Sequence, residues 1–402
     1  MKDLKPNIFQ RDFSIGQPYI DKATRREWVR FGEDNLYPQL CLDLASESPL
    51  QKAIMENKLS YMYGAGLAPV EDNIYTPNLI EGWDEFTYKC MTDYVYLNAF
   101  AVQVIMNEGG NSFSFYHQPV DQVRLGQYND HNIIEKAYIC TNWGKIYSRR
   151  ENVVEIKMWG SEQPKKGERY LMYFKKHQLG EYYYAIPQWM SAANYIAADA
   201  ALSQYYNNYI NNSFSSNLVI KYGSEPDEAK KAEIYENLQA SFGGQHNAGN
   251  ILLLFGENGI VPEIGSIDAS TRQADLYNSI TDTIKLAIVS ANRLTSPILA
   301  GISTSSGFSS KSDEIIAATV QYRLTVINNE RQFVMNKMND LLSMNGLPRV
   351  LSIQDYNLQE EFLGNVEENA DKANEGIGAA DSDEQKTEDV DAENNVDNKE
   401  VE

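Results

Sequence analysis

Thr295-Ser-Pro-Ile-Leu-Ala-Gly-Ile-Ser-Thr-Ser-Ser-Gly-Phe-Ser-Ser310 lies between two long helical patterns, and its reading as a loop decides the fold. Before it, Leu276, Ile280, Ile284, Ala287 and Ala291 form one apolar stripe and predict a helix over 270–294. After it, Ser310 or Ser312 is placed to cap a helix whose first turn carries Asp313 and Glu314. The stripe Ile316, Val320, Leu324, Ile327, Val334, Met338 and Leu341 then runs to Asn345-Gly346, a usual helix stop. A helix of that length is a rod of about 50 Å. Upstream, Pro187 opens a further pattern through Trp189, Ala193, Ile196 and Ala200 to Ser213, a rod of about 39 Å. The insert over 214–265 predicts a small αβ unit, with strands at 217–221 and 250–255 and a charged helix over 226–240. Helix, insert, helix, hydroxyl-rich loop and long helix suit a mechanical or scaffolding part better than a small catalytic domain.

The N-terminal part has a different texture. Two helices are predicted in the first 70 residues, with a break before Pro49 and a stop at Tyr63-Gly-Ala-Gly66, and a third over 84–97. Strands follow at 99–106, 112–116, 122–125, 135–140, 153–157 and 170–174, which predict an α+β domain with an antiparallel sheet up to residue 186. A last strand is expected at 349–353.

The net charge of −21 is unevenly spread: residues 360–402 hold sixteen acidic side chains against three lysines, leaving only −8 on the 359 residues before them. The body is mildly acidic and the tail is expected to be disordered. Cys41, Cys90 and Cys140 fit neither a disulfide framework nor a zinc cluster. No run approaches the roughly 18 apolar residues of a membrane span, so a soluble, unexported protein is expected. No phosphate-binding loop is present, and Gly64-Ala-Gly66 and Gly243-Gly244 read as turns. His117, His131, His177 and His246 lack metal-ligand spacing. No cofactor is expected. The serines after Leu294 come as a cluster without a nucleophile motif. Glu33/Asp34 and Asp199/Asp275 are the carboxylate pairs available for acid/base work, and with 26 Tyr and 5 Trp they support an alternative reading as a glycan-active hydrolase. Basic residues near the loop are Lys285, Arg293, Lys311 and Arg323; those in the insert are Lys221, Lys230 and Lys231. In a ring even one cation per subunit becomes a charged belt.

This order of parts resembles the portal proteins of tailed bacteriophages over about residues 28 to 350. Phe31-Gly-Glu-Asp-Asn-Leu-Tyr-Pro38, Tyr63-Gly-Ala-Gly-Leu67, Leu97-Asn-Ala-Phe-Ala-Val-Gln-Val104 and Tyr116-His-Gln-Pro-Val-Asp-Gln-Val-Arg124 resemble the portal wing. The resemblance implies an N-terminal wing (1–186), a first stem helix (187–213), a clip (214–265), a second stem helix (266–294), a tunnel loop (295–311), a long wing helix with a final strand (312–356) and a disordered acidic tail (357–402). Little ordered chain is expected after Ile353, which departs from the family's pattern where a helical crown would stand.

What the resemblance implies in function is a non-enzymatic ring, usually of twelve subunits, at one capsid vertex. Double-stranded DNA passes through such a ring during packaging and ejection, and the partners are the terminase large subunit, a head-tail adaptor and the major capsid protein. The protein is then expected in the virion, after assembly in the host cytoplasm. Arg293, Thr295, Ser296, Ser303, Thr304, Ser305, Ser306, Phe308 and Lys311 would line the channel, Lys285 would face DNA from the stem, and Lys221, Lys230 and Lys231 would meet partners at the clip. A mildly acidic wall would let DNA slide where a basic one would hold it through counterion release. A head-tail adaptor is the third reading, and the two long stem helices argue against it.

Overall fold

The computed structural model describes residues 18–19, 28–69, 76–145, 153–213, 219–222, 227, 230, 232, 252–255, 272–302 and 312–356. Contacts divide the chain into Met1–Gln354 and Asp355–Glu402, the second described only at Asp355 and Tyr356. Most of the insert's charged helix, the second half of the hydroxyl-rich loop (303–311) and the acidic tail fall outside the described residues.

Helices α1 (Tyr37–Glu47) and α2 (Pro49–Tyr63) are separated by Ser48 alone. Extended backbone at Ser48 turns its hydroxyl oxygen to accept the Gln51 N–H at 3.1 Å, while Pro49 occupies the first helical position, where a missing N–H costs nothing. Helix α3 (Trp83–Leu97) ends on Asn98, whose left-handed φ of 56° lets its N–H close on the Tyr94 carbonyl. Next come α4 (Ala193–Ser213), after a short 3-10 turn, and α5 (Arg272–Ala291), which packs against it. Ser48 also donates to Asp199 of α4 at 2.6 Å, so a helix cap doubles as a tie between helices.

Strands β1 (Pro18–Tyr19) and β2 (Arg30–Phe31) pair with each other. The main sheet holds β3 (Ala99–Met106), β4 (Phe113–Gln118), β5 (Val123–Leu125), β6 (Lys136–Ile139), β7 (Val154–Met158) and β8 (Arg169–Lys175) in the order β4-β3-β8-β7-β6-β5. Its neighbours are antiparallel except β7 and β8, which run parallel through Lys157↔Tyr170 and Met158↔Leu171. The sheet is therefore mixed, a correction to the antiparallel expectation, because residue alternation records which face is buried but not the direction of a strand's neighbour. The outermost strands β4 and β5 are joined by residues 119–122 alone, so their linked ends lie within roughly 18 Å. A six-stranded sheet with so short a link between its edges must curl. Helix α3 covers β3 and β4, and α2 contacts α1, α3, α4 and α5. In the insert, β9 (Val219–Tyr222) and β10 (Leu252–Phe255) pair in parallel.

The last helical run is α6 (Ser312–Tyr322), a π turn over Arg323–Ile327 and α7 (Asn328–Met344). The Asn328 N–H reaches back five residues to the Arg323 carbonyl. One extra residue in a turn rotates everything beyond it by about 100°. The regular stripe places Leu324 inside; it is 60% exposed, and the buried face of α6 is Ala318, Thr319 and Tyr322. The expected strand at 349–353 is a single bridge, Leu67↔Ile353. Beside it Asn339 takes a strand's part, its side chain bonding both the N–H (3.0 Å) and the carbonyl (2.9 Å) of Leu351.

Two segments far apart in sequence meet at Arg124, which is fully buried. Its guanidinium donates to the Asn35 side chain (2.8 Å), the Asn35 carbonyl (2.7 Å) and the carbonyls of Asp121 and Val123 (2.8 Å each), and lies 4.9 Å over the Trp143 ring. Asn35, in a left-handed conformation, also accepts the Phe31 N–H at 3.0 Å. Burial pushes Arg124 down to about 10.

Candidate functional site

The root of the hydroxyl-rich loop is built, not free. Helix α5 ends in a pair of closing bonds, Arg293 N–H to Ser290 and Leu294 N–H to Val289, with Arg293 at φ 60°. That left-handed position is usually glycine's, since a Cβ there costs roughly 1–2 kcal/mol. Arg293 holds it with its side chain 49% exposed and its guanidinium 3.9 Å from Glu330. Next, Thr295 donates to the Ala318 carbonyl at 2.9 Å, and Ser296 caps a 3-10 turn over Pro297–Ala300 by accepting the Ile298 N–H at 3.4 Å. Asn57 of α2 bonds the Leu299 carbonyl at 3.3 Å. Residues 295–302 are thus pinned to α2 and α6, where the sequence reads as open loop throughout.

Beneath this root sits a buried carboxylate that the sequence reading missed. Glu330, first turn of α7 and 4% exposed, accepts from the Tyr94 hydroxyl of α3 and from Lys176 at 2.8 Å, just past β8. Lys176 also donates to the Asn329 carbonyl (3.2 Å) and lies over the rings of Phe333 (5.6 Å) and Tyr94 (5.9 Å). Burial pushes Glu330 up, but bonds from Lys176 and Tyr94 and the charge of Lys58 outweigh it and leave the carboxyl below its ordinary range. Lys58 is pushed the other way: burial lowers it, Glu330 opposes, and Arg293 and Lys176 add to the lowering. One carboxylate is therefore shared by three cations from α2, the end of β8 and the end of α5.

Alongside, Asn292 and Gln51 exchange side-chain bonds of 2.8 and 3.4 Å in the core. A cleft of about 10 Å³, room for about one water, is lined by Lys58, Tyr94, Asn98, Gln188, Asn292 and Glu330 among others. Burial pushes the phenols of Tyr94 and Tyr322 up, away from ionisation at neutral pH. Chemically the arrangement is an electrostatic clamp: it fixes where α5 ends and the loop begins. The sequence does carry a signal for Glu330: three residues after Ile327 and four before Val334, it stands on the apolar stripe itself, an acid where an apolar side chain is expected.

The other candidate residues are dispersed. Lys285 is half-buried on α5, two turns before Arg293, and Arg323 opens the π turn. Lys230 is exposed with its N–H on the Asp227 side chain at 3.0 Å. Lys221 lies on β9 opposite Leu254. Ser303, Thr304, Ser305, Ser306, Phe308, Lys311 and Lys231 lie outside the described residues. Of the carboxylate pairs, Asp34 accepts the Leu36 N–H at 2.9 Å and Asp199 holds Ser48 and the Leu50 N–H, so both serve helix starts. Among the described residues no helix is long and apolar enough to cross a membrane.

No family model matches the chain, and no curated protein matches it in sequence. Solved structures match in fold. A chain from the virion of a native gene transfer agent particle is 16% identical, with 85% of this chain and 90% of that one covered at a TM-score of 0.50. A chain from the neck of the empty particle, computed with C6 symmetry, is 15% identical with 86% and 91% covered at 0.51. A chain from the neck of the native particle, computed with C12 symmetry, is 15% identical with 92% of each chain covered at 0.51. At such identity the likeness is one of fold, and it extends over nearly the whole of both chains.

Proposed function

We propose that the chain is the subunit of a twelve-membered portal ring, a non-enzymatic head-tail connector through which double-stranded DNA is packaged and ejected. The observation that carries this reading is the shared fold over 92% of both chains with a component of a particle neck computed with C12 symmetry. The order of helix, insert, helix, loop and long helix supports it. In this reading residues 1–186 and 312–356 form the wing, α4 and α5 the stem, the β9/β10 unit the clip that meets terminase and adaptor, and 295–311 the loop facing DNA. Arg293, half-exposed at the loop's root and backed by Glu330, contributes one cation per subunit to a belt around the channel. The excess of −8 on the rest of the body keeps the wall from gripping phosphate. Capsid protein is the partner expected at the wing, and the virion is the expected location.

Negative-stain imaging of the purified protein tests the reading. Rings with a central opening, twelve subunits by mass, are expected. A protein that stays monomeric at every concentration would end it.

A further inference from the structure

Among the described residues, the four most exposed large hydrophobic side chains come as two pairs: Leu79 and Ile80 at 96% and 82%, Leu179 and Tyr182 at 92% and 66%. Neither pair sits on a loose end. The Leu79 turn is nailed to the edge of β4 by the Phe115 N–H on the Pro77 carbonyl (2.7 Å) and by buried Asn78, which donates to the Phe115 carbonyl and accepts the N–H groups of Ile80 and Glu81 (2.8 Å each). Lys89 of α3 clasps the same turn through Glu81 at 2.5 Å. The Leu179 turn closes through Glu181 N–H to Gln178 (3.1 Å), and the Gln178 amide bonds both the N–H and the carbonyl of Ile186. Tyr128, just beyond β5, donates to the Tyr182 carbonyl at 3.1 Å and packs 4.7 Å from the Tyr183 ring.

Rigid turns that hold apolar side chains in water are preorganised for contact, because little conformational freedom remains to be lost on binding. Their placement says with what. The first pair is fixed to β4 through Phe115 and the second to the residues just past β5 through Tyr128, so the two pairs are anchored to different strands. A twofold dimer needs one surface that matches itself, whereas a closed ring needs two different surfaces that match each other. Both strand edges are blunted: Asn345 and Pro77 occupy β4, and the N–H of Val29 caps β5 at Leu125. Contact through strand addition is closed off there, which leaves the protruding side chains.

We propose that the Leu79–Ile80 turn of one subunit seats against Leu179 and Tyr182 of the next, head to tail around the ring. This rests on the ring reading above and names the contact that would close it.

The test uses the full chain. Replacing Leu79→Ser with Ile80→Ser, or Leu179→Ser with Tyr182→Ser, is expected to abolish the ring and leave the 45.6 kDa monomer, with far-UV circular dichroism unchanged and thermal unfolding still cooperative. Combining Leu79→Cys with Leu179→Cys, or with Tyr182→Cys, and adding a bis-maleimide should give a ladder of linked subunits. Each single cysteine variant should give none. Background is low because Cys41, Cys90 and Cys140 are buried. Intact rings from the serine variants, rings without a ladder from both cysteine pairs, or a Leu79→Cys protein that links to itself would each overturn the contact and leave the ring reading standing. A wild-type chain that never forms rings would instead remove the ring reading, and the contact with it.

Discussion

Two buried charges hold this protein together in opposite ways. Arg124 is sealed in the α+β part with no carboxylate bonded to it; carbonyl oxygens, the Asn35 amide and the Trp143 face take its charge. Glu330, at the helix junction, is shared among Tyr94, Lys176, Arg293 and Lys58. The first stitches two segments far apart in sequence; the second ties five elements together at a loop's root. A charge met by dipoles stays where those dipoles are. A charge met by side chains from separate elements depends on all of them staying together, so the Glu330 junction joins the loop's root to α3 and α7.

The largest expected effect comes from Glu330→Ala, which leaves three cations without their counter-charge. A loss of about 3–5 kcal/mol in denaturant unfolding is expected. Because Glu330 titrates lower in the folded chain than in the unfolded one, its contribution is complete above the ordinary value of 4.5 and is lost as the pH falls through the folded value. The gap between wild type and Glu330→Gln should therefore be widest near neutral pH and close on acidification. A gap that widened in acid would show that the clamp does not hold the carboxylate charged.

Next in size is Arg124→Met, expected to cost about 2–3 kcal/mol through the loss of charge-assisted hydrogen bonds. That cost should be the same at pH 7 and pH 8, since no histidine is bonded to Arg124; a pH-dependent cost there would erase the contrast with Glu330. Smallest is Arg293→Gly. Relief of the left-handed strain opposes loss of the Glu330 contact, so a net change within about 1 kcal/mol is expected. A larger loss would place Arg293 among the structural partners of Glu330 and not at the exposed margin of the clamp.

Much of the element list was legible because it is written locally. Pro49 after Ser48 marks a helix boundary whatever surrounds it, Asn98 and Asn345-Gly346 mark ends, and the six strands alternate or run apolar as strands do. Direction and register are not local. The parallel β7–β8 pair and the curl imposed by the short β4–β5 link depend on how the chain returns. The π turn escaped because an apolar stripe read at a fixed 3.6-residue period assumes that every turn is alike. At the site, Arg293, Thr295 and Ser296 were found by position beside the loop. Glu330, Tyr94, Lys58 and Lys176 were not: Glu330 interrupts the apolar stripe, but 236 residues separate it from Tyr94 and nothing local names its partners.

The elements, their order and the location of the acidity could be read from the residues alone, because hydrophobic period, caps and charge counts are properties of short windows. Which acid became a buried counter-charge, which strands ran parallel, and which apolar side chains were left in water on pinned turns were settled by packing. Those outcomes depend on what is brought within a few ångströms of what, and burial and electrostatics act on that distance alone.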